Sequence, residues 1–172
     1  LVGGSTLAPR TGYGESLCGL FLWQVECLNL ARGGRSTKSF RADGNWDKVL
    51  DRLRKPSEGR PTWVLVQFGH NDNPGKGPER ETDPATTYRA NLTRYLDEAR
   101  AAGAIPILVT SIVRRNMTPE GKVVSDANLA YVEEVRRLAA ARHVLLMDMY
   151  ALTLGQCERL GRAGCDALGT KT

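Results

Sequence analysis

Apolar and polar positions alternate along the chain between two periods, one of short unbroken apolar runs and one of three-to-four-residue spacing. The clearest run lies within Thr62-Trp-Val-Leu-Val-Gln-Phe-Gly-His-Asn-Asp72. Trp63 to Phe68 is apolar except for Gln67, is rich in β-formers and holds no Gly or Pro. This pattern predicts a central strand of a parallel sheet, covered on both faces. It stops at Gly69, His70, Asn71 and Asp72, a polar cluster at the edge where open α/β sheets bind their ligands.

Other segments follow the same alternation. Leu1 and Val2 read as the tail of a strand entering a glycine turn that presents Ser5, so the chain is expected to begin inside its first strand. Leu17, Leu20, Phe21 and Trp23 place a helix over Gly14 to Gln24, and Val25 to Ala31 reads as a second strand. Hydroxyls after Gly33-Gly34 suit the cap of a short helix, and Trp46 to Leu53 continues as another, ended at the Lys55-Pro56 boundary. Asp83 as cap and Pro84 in the first turn open a helix with Tyr88, Leu92, Tyr95, Leu96 and Ala99 on one side, closed by Gly103. Ile105 to Thr110 is a strand. Ser125 or Asp126 then caps a helix whose inner face carries Leu129, Val132, Val135, Leu138 and Ala139, before a strand from Val144 to Met147 and a short helix from Ala151 to Leu160. About five strands with helical crossovers predict a single α/β domain over residues 1–172, a doubly wound parallel sheet.

Composition changes this picture little. Hydrophobic residues make up 41% and charged residues 25% of the chain, as in an ordinary globular domain. No apolar run reaches membrane-spanning length. The net charge of +5 comes from scattered arginines without a basic stripe, which argues against nucleic acid and is compatible with acidic partners such as uronic-acid polymers. The loop Arg32-Gly-Gly-Arg-Ser-Thr-Lys-Ser lacks the Gly-Lys-Ser/Thr ending of a phosphate-binding loop. Cys18, Cys27, Cys157 and Cys165 match no zinc template. Cys157 and Cys165 suit a small disulfide loop, Cys18 reads as a small apolar residue, and Cys27 fits either role.

Three strand-end loops then converge: Gly3-Gly4-Ser5, Gly33-Gly34-Arg35-Ser36 and Gly69-His70-Asn71-Asp72. An accessible serine, backbone N–H groups beside glycines and a carboxamide are the parts of an acyl-transfer site. With Val2-Gly-Gly-Ser-Thr-Leu-Ala8, Asn29 to Thr37 and Gln67-Phe-Gly-His-Asn-Asp72, the chain resembles the SGNH (GDSL-type) hydrolases, in particular their rhamnogalacturonan acetylesterase-like branch. The likeness extends through Thr82-Asp-Pro and Tyr88-x-x-Asn-Leu92.

That resemblance implies a three-layer α/β/α, flavodoxin-like fold and deacetylation of a plant cell-wall polysaccharide, with no metal or organic cofactor. It makes Ser5 the nucleophile and assigns the oxyanion to the Ser5 N–H, the Gly34 N–H and the Asn71 amide. His70 and Asp72 are expected to contact substrate. A monomer, secreted or periplasmic, acting on an acetylated polysaccharide or a small ester is the corresponding expectation. Two positions depart from the family. Gly4 stands where the family carries aspartate, and no Asp-x-x-His, the family's source of the base, occurs in the 172 residues. His143, at the amino end of its strand, and Asp166, without a paired histidine, do not supply it. A fragment clipped at both ends is therefore expected, weakly active or inactive by itself. The alternatives are a non-catalytic carbohydrate-binding relative, and an esterase for lipid, thioester or xylan acetyl groups.

Overall fold

The computed structural model describes residues 1–55 and 59–169. The Pro56 boundary expected after the Trp46 helix, and Thr172, lie outside the described residues. Among those described, four strands form one parallel sheet in the order β1-β2-β3-β4: β1 (Val2–Gly3), β2 (Trp63–Gln67), β3 (Ile105–Val109) and β4 (Leu145–Met147). Register is set by Val2 opposite Val66, Trp63 opposite Ile105 and Ile107 opposite Leu145. Every strand therefore delivers its carboxyl end to the same edge.

The fifth strand, expected over Val25 to Ala31, does not form. The chain there still runs beside β1, the Leu30 N–H donating to the Leu1 carbonyl at 2.9 Å and the Arg32 N–H to the Gly3 carbonyl at 2.9 Å. Asn29 interrupts it: its Oδ1 accepts the Ala31 N–H at 3.2 Å, while its amide donates to the Leu7 carbonyl at 2.9 Å. A side chain that takes up its own backbone competes with a ladder. The preceding helix is also shorter than expected. It is α1 (Gly14–Gly19), and the chain then turns back so that Cys18 is bonded to Cys27. Cys18 is thus half of a disulfide rather than a packed apolar residue. The second bridge, Cys157–Cys165, joins the residues expected.

The other helices are α2 (Thr37–Ala42), α3 (Asn45–Leu53), α4 (Arg89–Ala101), α5 (Asn128–Ala141) and α6 (Met149–Ala167), the last kinked at Gly161. Ser36 and Ser39 close a reciprocal capping box at the start of α2. Asp83 caps a π-helical turn over Pro84–Tyr88 that leads into α4, its Oδ1 accepting the Thr86 N–H at 2.9 Å. The cap position of α5 is Ala127, which has no capping side chain, rather than Ser125 or Asp126; Asp126 lies one residue earlier and accepts the Asn128 N–H at 2.9 Å.

Val2, Val66 and Leu108 share one face of the sheet, buried with Phe40, Trp46, Tyr88, Leu92, Tyr95 and Leu96. Phe68 stacks on Tyr95 with ring centroids 5.4 Å apart, and Trp46 meets Tyr95 edge-on at 4.6 Å. On the other face Leu7 and Tyr13 pack with Leu1 beside β1. Farther across, Trp63 is 46%, Ile105 40% and Leu145 58% exposed. The β2 segment expected to be covered on both faces is covered fully on one; on the other, Trp63 at its amino end is exposed and Leu65 is half-buried.

Candidate active site

The site begins with the shortness of β1. Two strand residues lead straight into a turn in which the Leu7 and Ala8 N–H groups both donate to the Gly4 carbonyl, at 3.2 and 3.0 Å. Ser5 therefore sits at the carboxyl edge of the sheet. The Thr6 hydroxyl ties the turn to the end of β2 by donating to Gln67 Oε1 at 3.1 Å, and Gln67 in turn donates to the Thr110 carbonyl at 2.8 Å. The polar interruption in the central strand thus joins the ends of β1, β2 and β3 (1 % exposed).

A small cleft opens at this edge, lined by Gly4, Ser5, Thr6, Arg35, Gln67, Phe68, Gly69, His70, Asn71 and Ser111. Ser5 and Asn71, predicted from separate loops, are brought together here. Gly34 is not among the lining residues, but its neighbour Arg35 is, and the Asn71 amide donates to the Arg35 carbonyl at 3.1 Å. That bond uses one of the two amide hydrogens of Asn71 and leaves the other for a ligand. Among the described residues, neither the Ser5 nor the Gly34 backbone N–H donates to another protein group. Gly34 holds φ +72°, a left-handed conformation that glycine adopts freely.

Gly4 fits the same construction. A Cβ on it would lie 3.0 Å from the Arg35 carbonyl oxygen and 3.2 Å from Asn71 Nδ2. Any side chain at position 4 presses on the hydrogen bond that orients Asn71.

His70 lines the cleft, with Nε2 2.9 Å from the Ile112 carbonyl. A carbonyl can only accept, so Nε2 carries the proton in this contact and Nδ1 is the unprotonated nitrogen of the neutral ring. Burial, with a further push from the Arg114 guanidinium, lowers its pKa and keeps the ring neutral at neutral pH.

Asp72 was expected to contact substrate and does not line the cleft. It is fully buried, its Oδ1 accepting from the Thr37 N–H at 3.0 Å, the Thr37 hydroxyl and the Thr82 hydroxyl at 3.1 Å. Its carbonyl accepts from the Tyr131 hydroxyl at 2.9 Å. The role of this carboxyl is to pin the start of α2 and the 73–82 loop to the end of β2. Burial pushes its pKa up to about 7 against the hydrogen bonds that favour the charged form.

Gln67, Arg35 and Ser111 also face the cleft, and the sequence reading did not single them out. Ser111 follows β3 as Ser5 follows β1, and its hydroxyl is held by the Asn128 side chain at 3.0 Å. The only signal for it was its place just past a strand end. His143 is exposed, in the turn before β4 at the opposite edge. Among the described residues no three of His, Cys, Asp or Glu converge in a metal-binding group.

The parallel sheet and the serine turn at its carboxyl edge define a class, the α/β acyl hydrolases. More narrowly, the model of the GDSL-like Lipase/Acylhydrolase family matches residues 2–166, and the chain belongs to that family. The chain is 34% identical over 143 residues to the probable rhamnogalacturonan acetylesterase YesY of Bacillus subtilis, covering 83% of this chain and 63% of that protein. It is 32% identical over 154 residues to the rhamnogalacturonan acetylesterase RhgT of the same organism, covering 90% and 62%. The chain thus spans less than two thirds of the length of these relatives. The crystal structure of protein YxiM from Bacillus subtilis superposes with a TM-score of 0.80 at 23% identity over 97% of this chain and 48% of that one, a likeness of fold.

Proposed function

We propose that this chain carries the nucleophile and oxyanion site of a serine acetylesterase acting on a plant cell-wall polysaccharide of the rhamnogalacturonan type. The observation that carries the reading is the convergence of Ser5 and Asn71 on one cleft, with the Ser5 backbone N–H left without a protein partner. Ser5 Oγ attacks the acetyl carbonyl. The oxygen that becomes negative is held by the N–H of Ser5, the N–H of Gly34 and the amide of Asn71. Collapse breaks the ester bond, the sugar hydroxyl leaves with a proton, and water then releases acetate from the acetyl-serine.

A serine hydroxyl needs a proton acceptor. The family resemblance assigns that role to an Asp-x-x-His segment, which residues 1–172 do not contain. His70 is assigned to shaping the cleft, since its Nε2 is engaged by Ile112. The 172-residue chain by itself is therefore expected to hydrolyse p-nitrophenyl acetate slowly, and the same chain continued through an Asp-x-x-His segment to do so fast. Ser5→Ala should abolish both rates; turnover indifferent to Ser5→Ala would overturn the reading.

A second reading, a carbohydrate-binding relative without chemistry, is favoured by Gly4, which stands at the family's aspartate position. Oligosaccharide binding with no acetate release from the extended chain would support it. Two disulfides favour an oxidising compartment, and we place the protein outside the cell or in a periplasm on that ground.

A further inference from the structure

We infer that Gln67 is a positioning residue for the Ser5 nucleophile and acts through the Thr6 hydroxyl. This rests on the esterase reading and deepens it, adding to the reaction a side chain that acts on the nucleophile rather than on the ester. Ser5 stands in a turn with little of its own to hold it. β1 is two residues long, Gly4 brings no side chain, and α1 does not begin until Gly14. Within the turn the Leu7 and Ala8 N–H groups donate to the Gly4 carbonyl. From outside it, the Thr11 hydroxyl donates to the Ser5 carbonyl at 3.1 Å and the Asn29 amide to the Leu7 carbonyl at 2.9 Å. Among these tethers, the 3.1 Å bond from the Thr6 hydroxyl to Gln67 Oε1 is the one that reaches the interior strand β2.

The direction of that bond is fixed from its far side. Gln67 is buried, and its Nε2 donates to the Thr110 carbonyl at 2.8 Å. A carbonyl can only accept, so the amide cannot turn over, and Oε1 is held toward Thr6 as an acceptor. The Thr6 hydroxyl must then donate inward, which sets its rotamer and, through it, the backbone one residue from Ser5. Tyr13 closes the frame: its side chain is hydrogen-bonded to Gln67, and its N–H donates to the Thr6 carbonyl at 2.9 Å. Thr6 is thus gripped at both its hydroxyl and its carbonyl by groups anchored on the ends of β2 and β3. An apolar side chain at position 67 would leave the Thr6 hydroxyl and the Thr110 carbonyl without these partners. A nucleophile displaced by about 1 Å loses on the order of 10²-fold in rate, so a frame that holds the neighbour of Ser5 acts on the chemical step.

The test combines p-nitrophenyl acetate turnover by the chain continued through an Asp-x-x-His segment with amide exchange at Leu7 and Ala8 in the 172-residue chain. Thr6→Val keeps the side-chain shape and loses the donor, whereas Thr6→Ser keeps the donor. Thr6→Val should lower kcat about tenfold with KM within about twofold, and Thr6→Ser should stay within about threefold of the parent. Exchange at Leu7 and Ala8 should quicken in Thr6→Val, because their N–H groups close the turn. Adding Thr6→Val to Gln67→Met should cost little beyond Gln67→Met alone, since the two side chains act as one unit. An unchanged kcat in Thr6→Val, a Thr6→Ser chain as slow as Thr6→Val, unchanged exchange, or losses that multiply in the double variant would each overturn the positioning role. Turnover that survives Ser5→Ala would sink the esterase reading, whereas Ser5-dependent turnover indifferent to Thr6→Val would sink this inference alone.

Discussion

The Asn71 side-chain amide and the Arg35 carbonyl are joined by a 3.1 Å hydrogen bond that links the loop after β2 to the loop beside β1. The bond fixes the direction of the remaining amide hydrogen, which is what a preorganised oxyanion donor requires. Replacing Asn71 with Ala should slow acetylation of Ser5 by p-nitrophenyl acetate by about 10²–10³. Substrate affinity should change little, and the far-ultraviolet circular dichroism should not change. An equal rate in Asn71→Ala would remove this residue from the site.

Asp72 makes stability depend on pH in an unusual direction. Its folded pKa of about 7 lies above the ordinary 3.8, so between these values the folded chain binds the proton that the unfolded chain has lost. Its contribution is therefore fully favourable below the unfolded value and is lost as pH rises through the folded one, by up to about 4 kcal/mol. Asp72→Asn should flatten this: Oδ1 can keep its three donors, and the neutral amide does not ionise. Urea midpoints at pH 5 and pH 8 check it. A drop toward pH 8 of the same size in both proteins would assign the effect to other groups.

Gly3 is held by contact rather than by its dihedral angles. A Cβ there would sit 2.5 Å from the Gln67 carbonyl oxygen of the paired strand and 3.2 Å from Leu7 Cδ2. Gly3→Ala should destabilise the fold by about 1–3 kcal/mol and displace the Ser5 turn. Thermal unfolding checks the first, and the acetylation rate of Ser5 the second.

The Cys157–Cys165 bridge spans a sequence separation of 8 within α6 and lies against Val113, Met117 and Tyr150. Replacing both cysteines with serine should cost about 2–3 kcal/mol by the chain-entropy relation. Because this cluster lies apart from the main core, amide exchange should rise first in α6 and in the 113–123 loop. Uniform loosening of the whole sheet would contradict that.

The elements with strong periodicity were legible in the sequence. β2, β3, α4 and α5 stand where the apolar spacing put them, since each buries a continuous stripe. Strand ends also told where Ser5 and Asn71 would meet, because parallel strands share one carboxyl edge. What stayed hidden depended on side chains satisfying distant or local backbone. The Val25 to Ala31 segment has strand-like composition, but Asn29 turns its amide chemistry inward, and the Cys18–Cys27 bridge bends the chain before it. Asp72 looked like a ligand-facing carboxylate because nothing in its own loop shows that Thr37, from 35 residues earlier, closes over it.

The most direct measurement is the position of the acetyl group after brief exposure of the chain, continued through an Asp-x-x-His segment, to p-nitrophenyl acetate, followed by peptide mass mapping. The proposed chemistry predicts one acetyl group on Ser5, gained before any lysine is modified and reduced by Asn71→Ala. Acetyl appearing on lysines while Ser5 stays unmodified, or modification of Ser5 unaffected by Asn71→Ala, would contradict it.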